Sequence, residues 1–323
     1  MLATGPAMDV AKRKAAVATL SVVSNATLVV LKLVTGLLIG SVSVISEAIH
    51  SGVDLVAAVI ALVAVKQAAR PPDAQHEFGH GKVENISGTV EALLIFFAAA
   101  WIIYEAVKKI VHPEPLDAAA WGVGVMLVSS CANLLVSRQL FKVGRETDSV
   151  ALQADAWHLR TDVYTSAGVM VGLGLIMLGR VVLPGRNLGI IDPIAAIVVA
   201  LLIFKAAWQL TRDSARDLLD ASLPPAEEQW IRQCVARHEP RATNLHELRT
   251  RKAGADRFVE FHVAVASEMT VAEAHEVVRA LEQEIQERFP GAHITIHVDP
   301  RSVRPQVRPE DGGAVSRDGA SGT

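Results

Sequence analysis

The chain has 323 residues, 51% of them hydrophobic, a mean hydropathy of +0.33 and a formal net charge of −3. That balance gives no support for nucleic-acid binding, and two cysteines, Cys131 and Cys234, suggest neither a disulfide framework nor a thiolate zinc site. The length suits a membrane domain followed by one small soluble domain, because the apolar residues are concentrated before about Leu210.

Lys12, Arg13 and Lys14 precede an apolar run that reaches about Gly40 without a convincing cleavage site, so it reads as a first span rather than a secretory signal. Six spans are expected, over Ala15–Ile39, Val42–Val65, Val83–Val107, Ala118–Leu140, Val150–Leu178 and Leu188–Leu210. Each approaches or exceeds the ~20 residues that cross ~30 Å of hydrocarbon. Basic residues set the orientation. The N-terminus, the second loop (Lys66, Arg70, Lys82) and the fourth loop (Arg138, Lys142, Arg145) carry more than the first, third and fifth loops, which hold none, Lys108 with Lys109, and Arg180 with Arg186. Both termini are therefore expected in the cytoplasm, across a bacterial-type inner membrane.

From Pro224 the pattern is that of a soluble domain. A helix (about Ala226–Arg237) leads to strands around Leu245–Arg251 and Arg257–Ala266. Thr270 and Glu273 form a capping-box pattern that opens a second helix over Val271–Phe289, and a last strand spans His293–Val298. The αββαβ order predicts a small α+β domain of ferredoxin or metallochaperone type. The chain thus divides into a tail (1–11), a six-helix transmembrane domain (12–211), a cytoplasmic domain (212–302) and a tail (303–323) whose composition predicts disorder.

Chemistry concentrates in two His-x-x-x-Asp pairs, His50 with Asp54 and His158 with Asp162. Residues four apart share one helix face. Two such helices side by side present two imidazoles and two carboxylates to one point, a set suited to tetrahedral Zn²⁺. At 1.5 Å per residue, Asp54 and His50 lie ~18 and ~24 Å from Lys66, and His158 and Asp162 lie ~20 and ~25 Å from Arg145, so the pairs overlap in depth on antiparallel helices. The alternative is a polar cluster that only holds helices together. Asp155, one turn from His158, belongs either to an access path or to an ion pair. Glu84 and Glu91 share a face of the third span and read either as structural acids or as transport residues. Lys32 is expected to snorkel outward, and Arg160 to pair with an acid.

The stretch His76-Glu77-Phe78-Gly79-His80 matches the H-E-x-x-H zinc-protease pattern, which works only on a continuous helix. Pro71, Pro72, Gly79 and Gly81 argue for a loop, in which Asp73, His76 and His80 can form a small metal site or stand as incidental surface residues. In the soluble domain His246, His262, His275, His297 and Asp299 are candidate ligands, with scattered surface histidines as the alternative. His112, His238 and His293 read as ordinary surface residues.

Taken together these segments resemble the cation diffusion facilitators, dimeric zinc and iron efflux transporters. Gly40-Ser41-Val42-Ser43, the His50/Asp54 pair, Phe78-Gly79-His80-Gly81-Lys82, Ala154-Asp155 with the His158/Asp162 pair, His246-Glu247-Leu248-Arg249-Thr250-Arg251 and His297-Val298-Asp299-Pro300 carry the resemblance, over about residues 10–302. It implies a transport site at the two pairs, a loop site at Asp73, His76 and His80, and a binuclear cytoplasmic site at His246, His262, His275, His297 and Asp299. It also implies a homodimer and a charge pair between Lys82 and Asp220. His50 stands where Asp is usual in the iron/zinc branch and His is typical of the zinc branch, yet the short Phe141–Ser149 loop lacks the histidines that branch often has there. The expected function is a Zn²⁺/H⁺ antiporter that exports zinc, transported and regulatory zinc being the metal, with a metal-sensing cytoplasmic domain. Fe²⁺, Cd²⁺ or Co²⁺ are the alternative cargoes. A membrane metalloprotease acting through His76, Glu77 and His80, or a receptor without net transport, are readings from other classes. No P-loop is present to drive an ATP pump.

Overall fold

The computed structural model describes residues 6–39, 42–112, 120–182 and 190–301. Gly40 and Ser41, Arg186 in the fifth loop and the C-terminal tail lie outside the described residues. Six long helices come first: α1 (Pro6–Ile39), α2 (Val42–Ala68), α3 (Lys82–Val111), α4 (Ala120–Glu146), α5 (Val150–Val182) and α6 (Ile191–Leu218). Among the described residues, four stretches are long and apolar enough to cross a bilayer: Asp9–Leu38, Ala48–Ala68, Lys82–Val111 and Pro193–Leu218. The chain then folds as α7 (Pro225–Arg237), β1 (Thr243–Ala253), β2 (Asp256–Val265), α8 (Val271–Arg288) and β3 (His293–Pro300).

Two compact units result, one of Met1–Ser222 with Arg251–Arg257 and the other of Leu223–Thr250 with Phe258–Thr323. In the first, α1 packs along α2, α3 along α6 and α4 along α5, while α2 also touches α5. Small residues permit the close approach: Ala57, Ala61, Ala64, Ala92, Ala99, Ala154 and Ala207 are all buried. Large apolar side chains such as Val30, Leu38, Phe97, Trp101 and Trp208 instead face outward, as a lipid solvent requires.

Buried polar contacts cross this unit. Lys14 of α1 donates to Glu84 of α3 at 2.9 Å, and Ser149, just before α5, donates to the other Glu84 oxygen. Glu91 accepts from Ser87 at 3.2 Å. Lys32 does not snorkel: it is 3% exposed and donates to Ser51 of α2 at 2.7 Å. Nor does Arg160 show the expected acid partner among the described residues; its guanidinium lies over the Phe141 ring, 4.8 Å from the centroid.

The turn Gly254-Ala255 between β1 and β2 belongs to the first unit and meets the start of α3. Gly254 has φ +62°, and a Cβ there would stand 2.6 Å from the Gly81 carbonyl oxygen. A Cβ on Gly81 would stand 2.3 Å from the Ala253 carbonyl oxygen. Asn85 holds the junction by accepting from the Gly254 amide at 2.7 Å.

In the second unit the sheet has order β1-β2-β3, with β2 and β3 parallel and joined through α8. Thr270 and Glu273 make both bonds of the capping box that opens α8. Ile231, Cys234, Val235, Phe261, Val263, Leu281 and Ile285 form the core between the helices and one face of the sheet.

Gly254→Ala should lower the apparent melting temperature of the purified protein, at a cost of about 1–3 kcal/mol. Gly124→Ala, where a Cβ meets nothing within 4 Å, should not lower it.

Candidate metal-binding sites

Helical spacing on α2 and α5 brings the two His/Asp pairs together, crosswise. His158 Nε2 lies 3.1 Å from Asp54 Oδ1, and His50 Nε2 lies 3.9 Å from Asp162 Oδ1. His50, Asp54 and Asp162 each offer a ligand atom within 4.8 Å of the other two. His158 is held at the edge of that trio by Asp54, and its buried Nδ1 has no hydrogen-bond partner. With Nε2–H donated to the carboxylate, Nδ1 carries a lone pair. Asn133 of α4 donates to Asp162 Oδ2 at 3.2 Å and orients it. Sequence reasoning did not name Asn133, since nothing local marks which side of α4 it faces.

The site has an open side and a closed one. The His50 side chain is 55% exposed, whereas those of His158 and Asp54 are 9% and 5% exposed. Asp155 lies deeper and is fully buried, and neither of its carboxylate oxygens is within hydrogen-bonding geometry of a partner; Ser21, His158 and Glu91 surround it.

The loop after α2 gathers Asp73, His76 and His80 as expected from spacing, with ligand atoms within 4.8 Å of one another. It is not helical, so His76, Glu77 and His80 lack the continuous helix a zinc protease uses. Asp73 instead folds the loop on itself, accepting from the Gln75 and His76 amides at 2.9 and 2.7 Å. Those amide bonds, from His76 first, hold the Asp73 carboxyl below its ordinary range, so it stands ionised. His76 Nδ1 and His80 Nε2 each approach it to 3.2 Å.

In the second unit Asp299 of β3 is the hub. His246 Nε2 and His262 Nδ1 lie 3.3 and 3.1 Å from its Oδ2, and His297 Nε2 lies 3.4 Å from its Oδ1. The parallel register pairs His262 with His297, whose rings are 4.5 Å apart. His246 Nδ1 donates to the Asn244 carbonyl at 2.9 Å, since a carbonyl can only accept. Glu247, with φ +49°, places a carboxylate 4.0 Å from His262 and is a further donor that sequence reasoning passed over. His275 stands apart: exposed on α8, it is not in the group formed by His246, His262 and Asp299. Lys82 and Asp220, both in the first unit, pair at 2.9 Å, and Arg251 lies 3.6 Å from the same carboxylate oxygen.

Family profiles divide the chain near the same place as the fold does. The profile of the cation efflux transmembrane domain matches residues 18–219, and that of the cation efflux protein cytoplasmic domain matches residues 223–301. An uncharacterised transporter of Synechocystis sp., sll1263, is 37% identical over 270 residues, covering 84% of this chain and 85% of that one. The cation-efflux pump FieF of Klebsiella pneumoniae is 34% identical over 270 residues, covering 83% and 87%. A zinc-form structure of CzrB, described as a putative zinc transporter, is 41% identical, covers 26% of this chain and 97% of that one, and has a TM-score of 0.25.

The Lys82 ammonium holds the Asp220 carboxyl below its ordinary value of 3.8, with Arg251 adding to the effect. A depressed carboxylate contributes stability above its ordinary pKa and loses it as pH falls through the lowered one. Asp220→Asn should therefore cost up to about 1 kcal/mol at neutral pH. Thermal unfolding should show that difference from the wild type closing as the pH falls below the ordinary carboxyl value and through the lowered one.

Proposed function

The chain belongs to the cation efflux family, and we propose that it is a secondary transporter that exports Zn²⁺ from the cytoplasm in exchange for protons. The convergence of His50, Asp54, His158 and Asp162 from α2 and α5 carries this reading. On it, all six long helices span the bilayer, both termini are cytoplasmic, and the protein works as a homodimer. Two imidazoles and two carboxylates satisfy the tetrahedral preference of Zn²⁺ without a thiolate. They also explain the exchange. Each ligand must shed its proton to bind metal, so metal and protons exclude one another at the same atoms. Histidine, with an ordinary pKa of about 6.5, changes charge within reach of the pH on either side of a membrane. His50 and His158 therefore take the protons on the return step, as α2 and α5 shift to open the site alternately to each side.

The other clusters have supporting roles. Asp73, His76 and His80 bind metal at the cytoplasmic end of the second span. His246, His262, His297 and Asp299, with His275 expected from the family resemblance, form the regulatory site, which senses cytoplasmic zinc. Lys82 and Asp220 steady the start of α3 during the cycle. Fe²⁺, Cd²⁺ and Co²⁺ are the competing cargoes, and His50 favours zinc because imidazole suits a borderline ion better than a further carboxylate does.

Zn²⁺ flux into inverted vesicles under a pH gradient tests the reading. Asp162→Ala should reduce uptake at least about tenfold, and Asn133→Ala, which frees the Asp162 carboxylate, about ten- to a hundredfold in apparent affinity. Glu77→Gln should leave flux intact, since no peptide hydrolysis is involved. Transport by Asp162→Ala at the wild-type rate would remove the site assignment, and zinc uptake indifferent to the pH gradient would remove the antiport.

A further inference from the structure

One set of donors lies outside the sites already described. Cys234 and His238 stand four residues apart at the end of α7, and Glu284 faces them from α8. Each offers a ligand atom within 4.8 Å of the other two. We propose that Cys234, His238 and Glu284 form a further cation site in the cytoplasmic domain, which takes one thiophilic divalent ion of the Zn²⁺ or Cd²⁺ kind and clamps α7 to α8.

The hydrogen bonding prepares the donors. His238 Nδ1 lies 3.0 Å from the Cys234 carbonyl oxygen, which can only accept, so Nδ1 carries the hydrogen. That leaves Nε2 as the coordinating nitrogen, and it points at Glu284 Oε2, 3.7 Å away. A ligating imidazole ordinarily has its other nitrogen fixed by such a carbonyl. Burial pushes the Cys234 thiol up to about 11, so an ion that binds there must displace the thiol proton, as metal binding to cysteine does. Around Zn²⁺, with bonds of ~2.0 Å to nitrogen and oxygen and ~2.3 Å to sulfur, ligand atoms stand roughly 3.2–3.8 Å apart, so these three need draw in by about 1 Å. His238 and Glu284 are half-buried, so solvent reaches the fourth position.

A plainer account exists for each residue alone. Cys234 is fully buried in the core of the domain, Arg237 pairs with Glu284, and His238 caps α7. That ion pair does not bar a metal. The Arg237 and Glu284 side chains are 49% and 33% exposed, and an exposed pair contributes only about 0–1 kcal/mol. Released from Glu284, the guanidinium keeps the Trp230 ring, whose centroid is 5.6 Å away. The competition then sets one surface ion pair against three coordinate bonds.

Sulfur makes the test specific. Among the described residues no other candidate cluster contains a thiol, and the one other cysteine, Cys131, can be removed. Full-length Cys131→Ser protein in detergent is titrated with Co²⁺, and the thiolate-to-cobalt charge-transfer band in the near ultraviolet is recorded. The band should appear and saturate at an intensity that corresponds to one thiolate ligand per chain. It should vanish in the Cys131→Ser/Cys234→Ser protein, and need at least about tenfold more Co²⁺ after His238→Ala or Glu284→Gln, both at half-exposed positions outside the core. Cys131→Ser protein that shows no thiolate band even when saturated with Co²⁺ would overturn the proposal whatever the variants do, as would a band that persists without Cys234. Because the readout is binding and not flux, it stands or falls separately from zinc export.

Discussion

An ionised side chain inside an apolar helix bundle is tolerated only when an opposite charge or a strong hydrogen bond meets it, and the contact between Asp54 and His158 is where this chain meets that constraint. The rest of the helical unit is arranged to permit it. Two helices must approach closely at that depth, which small residues such as Ala57 and Ala154 allow. A third must turn Asn133 toward Asp162. Lys32, drawn inward to Ser51, brings a basic side chain near a site with two carboxylates. The same logic runs through Lys14, Glu84 and Ser149, where α1, α3 and the start of α5 share one buried acid. On the proposed reading, a cation that arrives between the two helices would replace charge compensation already present in the protein, so its binding would be an exchange.

Much of the fold was legible because its signals are local. Long apolar runs, a switch to amphipathic periodicity near Pro224 and a Thr-x-x-Glu capping box depend on neighbours within a few residues, and the helices and strands stand where those signals put them. The ends are less legible. α1 starts at Pro6 and α6 runs to Leu218, beyond the apolar runs, because a helix need not stop where hydrocarbon does. The His-x-x-x-Asp pairs were readable for the same local reason, one turn of helix being built into their spacing.

What escaped the sequence is contact between elements. Hydropathy cannot say which way Lys32 faces, since its partner sits on α2. Asn133 and Glu247 are ordinary residues until a neighbouring element brings an acid or an imidazole to them. Cys234, His238 and Glu284 looked unremarkable separately; only the packing of α7 on α8 makes them a group. His275 is the converse. A resemblance assigned it to the cytoplasmic cluster, and the fold of one chain leaves it on an exposed helix face.

The parallel pairing of β2 with β3 carries a last consequence, for how the chain can vary. His262 sits opposite His297, and Asp299 two residues on shares the face of His297 because side chains alternate along a strand. Removing or adding one residue inside β3 would turn His297 and Asp299 toward α8 together and bring Val298 to their place, whatever the composition. Strand length there is thus under tighter restraint than residue identity. Insertions and deletions belong in the turns that flank α8, where a change of length leaves the alternation untouched.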